Sequence, residues 1–176
     1  MHGINEKGYI SQLNKQIKKK NNDYQKGQKI MCKKRISKDD YYLELAKCVS
    51  LRSTCLKRMY GAVIVKNDEV VATGYNGSAR GEVNCCDIHR ECPRKNKPHN
   101  SGDYSDCPAV HAEQNALISV SRNNAIGSTL YLSGREYDEN GEPIDMTETH
   151  PCPICTRMIK NAGITRIVGP QGDITL

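Results

Sequence analysis

Four residues in two short segments have the types and spacing to hold a metal ion and move a proton beside it. His111-Ala112-Glu113 opens one apolar-periodic stretch, and Pro151-Cys152-Pro153-Ile154-Cys155 opens another. Zinc favours nitrogen and thiolate ligands, and a zinc centre that performs chemistry takes three of them from the protein and leaves a fourth position open. His111, Cys152 and Cys155 supply that trio. Cysteines three apart on the first turn of a helix point the same way, and a helix N-terminus favours thiolate. Glu113 exceeds the ligand count and stands two residues from His111, where a carboxylate can take a proton from water and return it elsewhere. Each half alone says little, since His-x-Glu occurs by chance and one C-x-x-C can be redox-active or half of a structural finger.

The elements that must position these residues are legible around them. Ser37-Lys38-Asp39-Asp40 has the form of a capping box, with Asp40 in the place usually held by Glu or Gln, and Tyr42, Leu45, Ala46 and Val49 follow at helical spacing. GAVIVK (61–66) and EVVATG (69–74) flank Asn67-Asp68 as a β-hairpin. Residues 109–120 read as a helix, TLYLS (129–133) as a strand, and REYDENGEPID (135–145) as an inserted hairpin centred on Asn140-Gly141. Cys152 to Ala162 reads as a second strong helix stopped by Gly163, and ITRIV (164–168) as another strand. This order predicts an α/β fold, a mixed β-sheet with helices packed on it. Residues 75–108 lack sustained periodicity but hold four Cys, three Gly and three Pro. A loop that long in a compact domain needs a function or a staple.

Composition sets the outer bounds. The 176 residues suit one domain and a tail, and 26% of them are charged. No apolar run approaches the ~20 residues of a membrane span. The first twenty residues lack a secretory apolar stretch, which predicts a cytoplasmic chain whose nine Cys are thiols. Charge is uneven: residues 1–38 hold 11 Lys+Arg against 2 Asp+Glu, and the remainder 15 against 18. The division is therefore a basic, flexible arm (1–36) and a mildly acidic domain (37–176). The arm could meet nucleic acid, or be no more than a solvated tail.

Taken together and in this order, the two segments fit the signature H-x-E…P-C-x-x-C of zinc nucleobase deaminases. From Ser37 to Val168 the chain resembles the cytidine deaminase-like superfamily, and within it the deoxycytidylate (dCMP) deaminases, through CLKRMYGAVIV, ATGYNGSARGEVNCCD, CPAVHAEQNAL and HPCPICTRMIKNAGI. The segment GYNGSARGEVNCCD is the most specific of these to dCMP deaminases. The resemblance implies a three-layer α/β/α fold with helices on both faces of the sheet. It also implies a catalytic Zn2+ on His111, Cys152 and Cys155, Glu113 as the proton carrier, and conversion of dCMP to dUMP and ammonia, feeding thymidylate synthesis. Asn76 falls at the family's sugar-holding position, and backbone around Ala112 at the position facing the base. Cys55, Cys85, Cys92 and Cys107 fall where many dCMP deaminases place a second, structural Zn2+, with Cys86, His89 and His99 as nearby substitutes. A homo-oligomer, a hexamer by resemblance, and dCTP and dTTP effectors are also implied.

Alternatives stay open at this level. The substrate could be deoxycytidine, dCTP or another base, with Arg80, Arg122 and Arg135 as phosphate candidates. The chain could instead be a nucleic-acid-binding zinc protein with a vestigial site, a reading that leaves Glu113 without a use. Cys48 is expected in the core, and Cys32 has no evident partner. The segment 135–148 lengthens the approach to Cys152 and could overhang the site. Residues 170–176 are too few for the further strand and helix of the superfamily, so edge cover is expected from the insert or another subunit.

Overall fold

The computed structural model describes residues 11–18, 34–98 and 106–176, which fall into two units, 1–35 and 36–176. In the first unit, residues 11–18 form a helix, α1, whose side chains are all exposed. The arm is thus not devoid of structure: Leu13 and Ile17 stand at i,i+4 spacing among good helix formers. The QKGQK stretch lies outside the described residues.

The second unit is built on α2 (Lys38–Ser50), β1 (Arg58–Lys66), β2 (Glu69–Tyr75), β3 (Gly77–Ser78), α3 (Cys85–Ile88), β4 (Ala109–Val110), α4 (Ala112–Ser119), α5 (Arg122–Ala125), β5 (Thr129–Tyr137), β6 (Pro143–Asp145), α6 (Pro153–Ala162), β7 (Arg166–Gly169) and β8 (Gly172–Ile174). The main sheet runs β2-β1-β5-β7-β8, with β6 on the far end of β5. Among the described residues only β5 and β7 run parallel, because α6 carries the chain between them, and the other strand pairs are antiparallel.

Alternation along the strands builds two apolar layers. Ala62, Ile64, Leu130, Leu132 and Ile167 pack with Ala112 and Ala116 of α4 and with Cys155 and Ile159 of α6. Val63, Val65, Tyr131 and Val168 face the other way, against Tyr42 and Ala46 of α2. The three-layer expectation is met: α2 covers one face, α4 and α6 the other. Two glycines permit this closeness. A Cβ at Gly61 would collide with the carbonyl of Ala46, and one at Gly74 with the backbone of Ala112 and Ala116.

Several local expectations are met and others corrected. Ser37 caps α2, accepting from the Asp40 amide at 3.0 Å, while its hydroxyl donates to the Asp40 carboxylate at 2.7 Å, so the reciprocal bond goes to the hydroxyl and not to the cap's amide. The hairpin turns through Asn67 and Asp68, both at positive φ. Cys48 is exposed, not a core residue, because two residues beyond Ala46 the helix has rotated to its outer side. The helix expected from residue 109 begins at Ala112, since Ala109 and Val110 pair with Ser78 and Gly77 as a strand. The hairpin at 135–145 forms as a continuation of β5. The outer edge of β7 is covered from within the chain by β8.

Candidate metal centre and active site

The trio sits where two helices begin on the same face of the sheet. His111 is the N-cap residue of α4, in extended conformation, and its backbone N–H donates to Gln114 Oε1 at 2.9 Å. Cys152 is the N-cap of α6, with Pro153 pre-set in the first turn, and its Sγ accepts from the Cys155 amide at 3.4 Å. Gly163 ends α6 in the left-handed region (φ 85°), which a β-carbon disfavours. His111 Nδ1 lies 3.5 Å from Cys152 Sγ and 3.4 Å from Cys155 Sγ. All three ligand atoms lie within 4.8 Å of one another.

Remote contacts hold these helix starts in place. Asn115 Nδ2 donates to the Tyr75 carbonyl at 2.7 Å, tying α4 to the end of β2. Ahead of Cys152, buried Thr149 donates through Oγ1 to the Leu132 carbonyl at 2.8 Å. Gln171 closes on Thr149 from both sides, accepting from its amide at 3.2 Å and donating to its carbonyl at 2.8 Å. Nothing in the local pattern near residues 149 and 171 announces this clasp.

The electrostatics fit a cation. Glu113, 5% exposed on the first turn of α4, has its carboxyl raised by burial to about 7. Burial, followed by the neighbouring Glu113 and Cys152, pushes the Cys155 thiol far up. His111 is held below the ordinary imidazole range by burial and by the charge of Arg94. A thiol and a carboxyl that each resist ionisation, packed with a second thiol around a neutral imidazole, form a donor set that a divalent cation would ionise and hold. The residues present therefore fit zinc.

The trio opens into a cavity lined by Lys57, Arg58, Tyr60, Asn76, Arg94, Ala109, Ala112, Glu113 and His150, among others. Asn76 and Ala112 both belong to its wall. Asn76 is buried, its Oδ1 accepting from the Tyr60 amide at 2.7 Å and its Nδ2 donating to the Arg58 carbonyl at 2.9 Å. Those bonds fix its plane against β1. Arg80, Arg122 and Arg135 do not line the cavity, and Arg135 is paired with Asp145 at 2.7 Å. No residue of 135–148 lines it either; Glu136 reaches its rim only by pairing with Arg58 at 3.3 Å. The cationic wall of Lys57, Arg58 and Arg94 was not apparent in the sequence, because Arg94 arrives from a loop without periodicity.

Cys55, Cys85, Cys92 and Cys107 line one small cavity beside this one. Burial, then the nearby Cys55, Cys92 and Cys107, raises the Cys85 thiol. The four are neighbours. Among the described residues, however, only His111, Cys152 and Cys155 converge closely enough to form a metal-ligand group. Cys86 is exposed, and His99 lies outside the described residues.

A three-layer α/β sandwich with a His/Cys/Cys trio and a buried carboxyl at paired helix starts defines the zinc-site class of nucleobase-modifying folds. Residues 36–169 match the family model described as the cytidine and deoxycytidylate deaminase zinc-binding region, and the chain belongs to that family. It is 38% identical over 139 residues to the deoxycytidylate deaminase of Mycobacterium phage D29, covering 76% of this chain and 94% of that one. It is equally similar, 38% over 139 residues, to the deoxycytidylate deaminase of Schizosaccharomyces pombe, of which it spans 37%. Among solved structures, the dCMP deaminase of cyanophage S-TIM5 in complex with dCMP and dUMP superposes with a TM-score of 0.52 at 27% identity, over 77% of this chain and 83% of that one. No helix among the described residues is long and apolar enough to cross a membrane.

Proposed function

We propose that this chain hydrolyses the 4-amino group of dCMP, giving dUMP and ammonia. The observation that carries the reading is Glu113: a carboxyl with its pKa raised to about 7, buried against the trio yet not one of the three converging ligand groups. His111, Cys152 and Cys155 would hold one zinc ion, which supplies Lewis acidity and so makes water a nucleophile near neutral pH. Glu113 accepts the proton that water loses as its oxygen bonds C4 of the cytosine and passes it to N3, then takes the proton of the new C4 hydroxyl and passes it to the departing amine. The C4–N bond breaks, ammonia leaves, and C4 becomes a carbonyl carbon. A carboxyl poised near neutrality suits both halves of that exchange. Ala112, at the turn between His111 and Glu113, presents backbone to the base, and Asn76, pinned to β1, presents its amide edge to the sugar.

Four finer readings accompany this one. The grouping of Cys55, Cys85, Cys92 and Cys107 around one cavity supports a second, structural zinc. Family membership supports a homo-oligomer, a hexamer under dCTP and dTTP control, and a cytoplasmic enzyme supplying dUMP for thymidylate synthesis. The basic arm serves neither metal nor substrate. The deciding experiment is ammonia release by the zinc-loaded chain from dCMP, deoxycytidine, dCTP and CMP. Turnover concentrated on dCMP, and reduced at least ~10²-fold in Glu113→Gln with zinc retained, is expected. Preference for another member of the panel would replace the substrate, and an active Glu113→Gln would overturn the role of that carboxyl.

A further inference from the structure

We infer that the basic arm is a docking surface for nucleic acid, which it grips through phosphate and without regard to sequence. The deaminase reading leaves this segment unused: the family match begins at residue 36, and every proposed ligand and contact lies beyond residue 54. Residues 1–38 set ten Lys and Arg35 against only Glu6 and Asp23, whereas acids outnumber cations in the rest of the chain. Charge that serves solubility alone is mixed in sign over a surface. Here one sign is concentrated in one segment, the distribution that attracts a polyanion. Part of that charge has a fixed form. In α1 the helical step of about 100° puts Leu13 and Ile17 on one side and Lys15 and Lys18 on the other, and all eight side chains are exposed.

The partner this segment fits is a chain of phosphates and not a lipid surface. Helices that lie on membranes set their lysines against a broad apolar face rich in Trp, Phe and Leu. This chain has no Trp and no Phe, and α1 offers only Leu13 and Ile17. Four Asn and four Gln stand among the lysines of residues 1–38. Amides bond well to phosphate oxygens and base edges, and are costly to bury among acyl chains. Lysine is a compact point charge without the planar fork of arginine. With ten Lys to one Arg, the arm follows the phosphate backbone, and its binding is governed by the counterions it releases.

The test uses the full-length, zinc-loaded chain and a fluorescent single strand built from A and T only, so that the deaminase cavity meets no cytosine. Binding is read by anisotropy between about 50 and 200 mM salt. With about six lysines on phosphate, log K should fall against log salt with a slope of about −4, a loss of roughly 300-fold over that range. Joint replacement Lys15→Gln, Lys18→Gln, Lys19→Gln and Lys20→Gln keeps helix propensity, and is expected to weaken binding at least tenfold and to flatten the slope to about −1.5. Lys26→Gln with Lys29→Gln, in the same arm, should flatten it by a smaller step, and carries the comparison if the first variant does not fold. Leu13→Ser with Ile17→Ser leaves every charge in place and should bind the strand within about threefold of wild type. Absence of binding at the lowest salt, a slope near zero, or lysine variants that bind as tightly as wild type would overturn the proposal. So would retention on vesicles of phosphatidylcholine with about 30% phosphatidylserine that exceeds binding to the strand and is lost with Leu13 and Ile17, since the partner would then be a membrane.

Discussion

At the scale of single residues, the molecule places groups that are each uncomfortable alone. A carboxyl whose proton is retained to about pH 7 and a thiol raised far above its ordinary range are the cost of taking acid groups out of water. The cysteines of the loop present a second such group, and their number of ions can be counted. Elemental analysis of the freshly purified chain is expected to give two zinc ions, falling to one in Cys92→Ser. One ion in both proteins would remove the structural site. His111, Glu113, Cys152 and Cys155 were legible because each lies within a few residues of its own helix-start signal. Arg94 and Thr149 were not, since their partners Lys57 and Gln171 are 37 and 22 residues away and no periodic pattern links them.

Helices and strands supply the rigidity that these residues need. Asp39, in the first turn of α2, accepts two bonds from Arg166 on β7, each at 2.9 Å, and one from Tyr131 of β5 at 2.7 Å. Arg166 also holds Asp173 of β8 at 2.7 Å. One carboxylate thereby joins a helix to two strands, and through Arg166 to a third. The Arg166 guanidinium, outweighing a partial burial, holds the Asp39 carboxyl below its ordinary value. A lowered folded-state pKa gives stability that is present above the unfolded value, about 4, and is lost as pH falls through the folded one. Asp39→Asn is therefore expected to lower the melting temperature at pH 6, by a margin that narrows as the pH is taken down below about 4; a gap that stays constant with pH would exclude this linkage. Neither partner suggested the other, 127 positions apart. The capping residues of α2, by contrast, were readable because a cap bonds only three positions away.

On the scale of the whole chain, charge and chemistry separate. The basic excess ends at residue 38, whereas every proposed ligand and contact lies beyond residue 54. Removing residues 1–36 should leave zinc content unchanged and dCMP turnover within a few-fold, with any residual effect fading in salt. A folded, zinc-loaded truncation without turnover would mean that the arm reaches an active site. The layered fold followed from alternation in GAVIVK and TLYLS and from the two helix starts. The length of β5, the start of α4 and the pairing of β8 depended on tertiary contacts that local pattern does not encode.

The placement of the trio also fixes a chronology. His111 and Cys152 are 41 residues apart, and β5, which bridges β1 and β7, lies inside that interval. The two cysteines share one helix turn, but His111 does not join them until β5 has been seated, so the full trio closes on an ion only in a sheet that already exists. Metal that arrives after the rate-limiting step leaves the forward rate alone and slows the reverse one. Refolding from denaturant should proceed at the same rate with micromolar zinc or with a chelator, while unfolding becomes slower with zinc present. Zinc-accelerated refolding would mean that the donors find one another before the strands do.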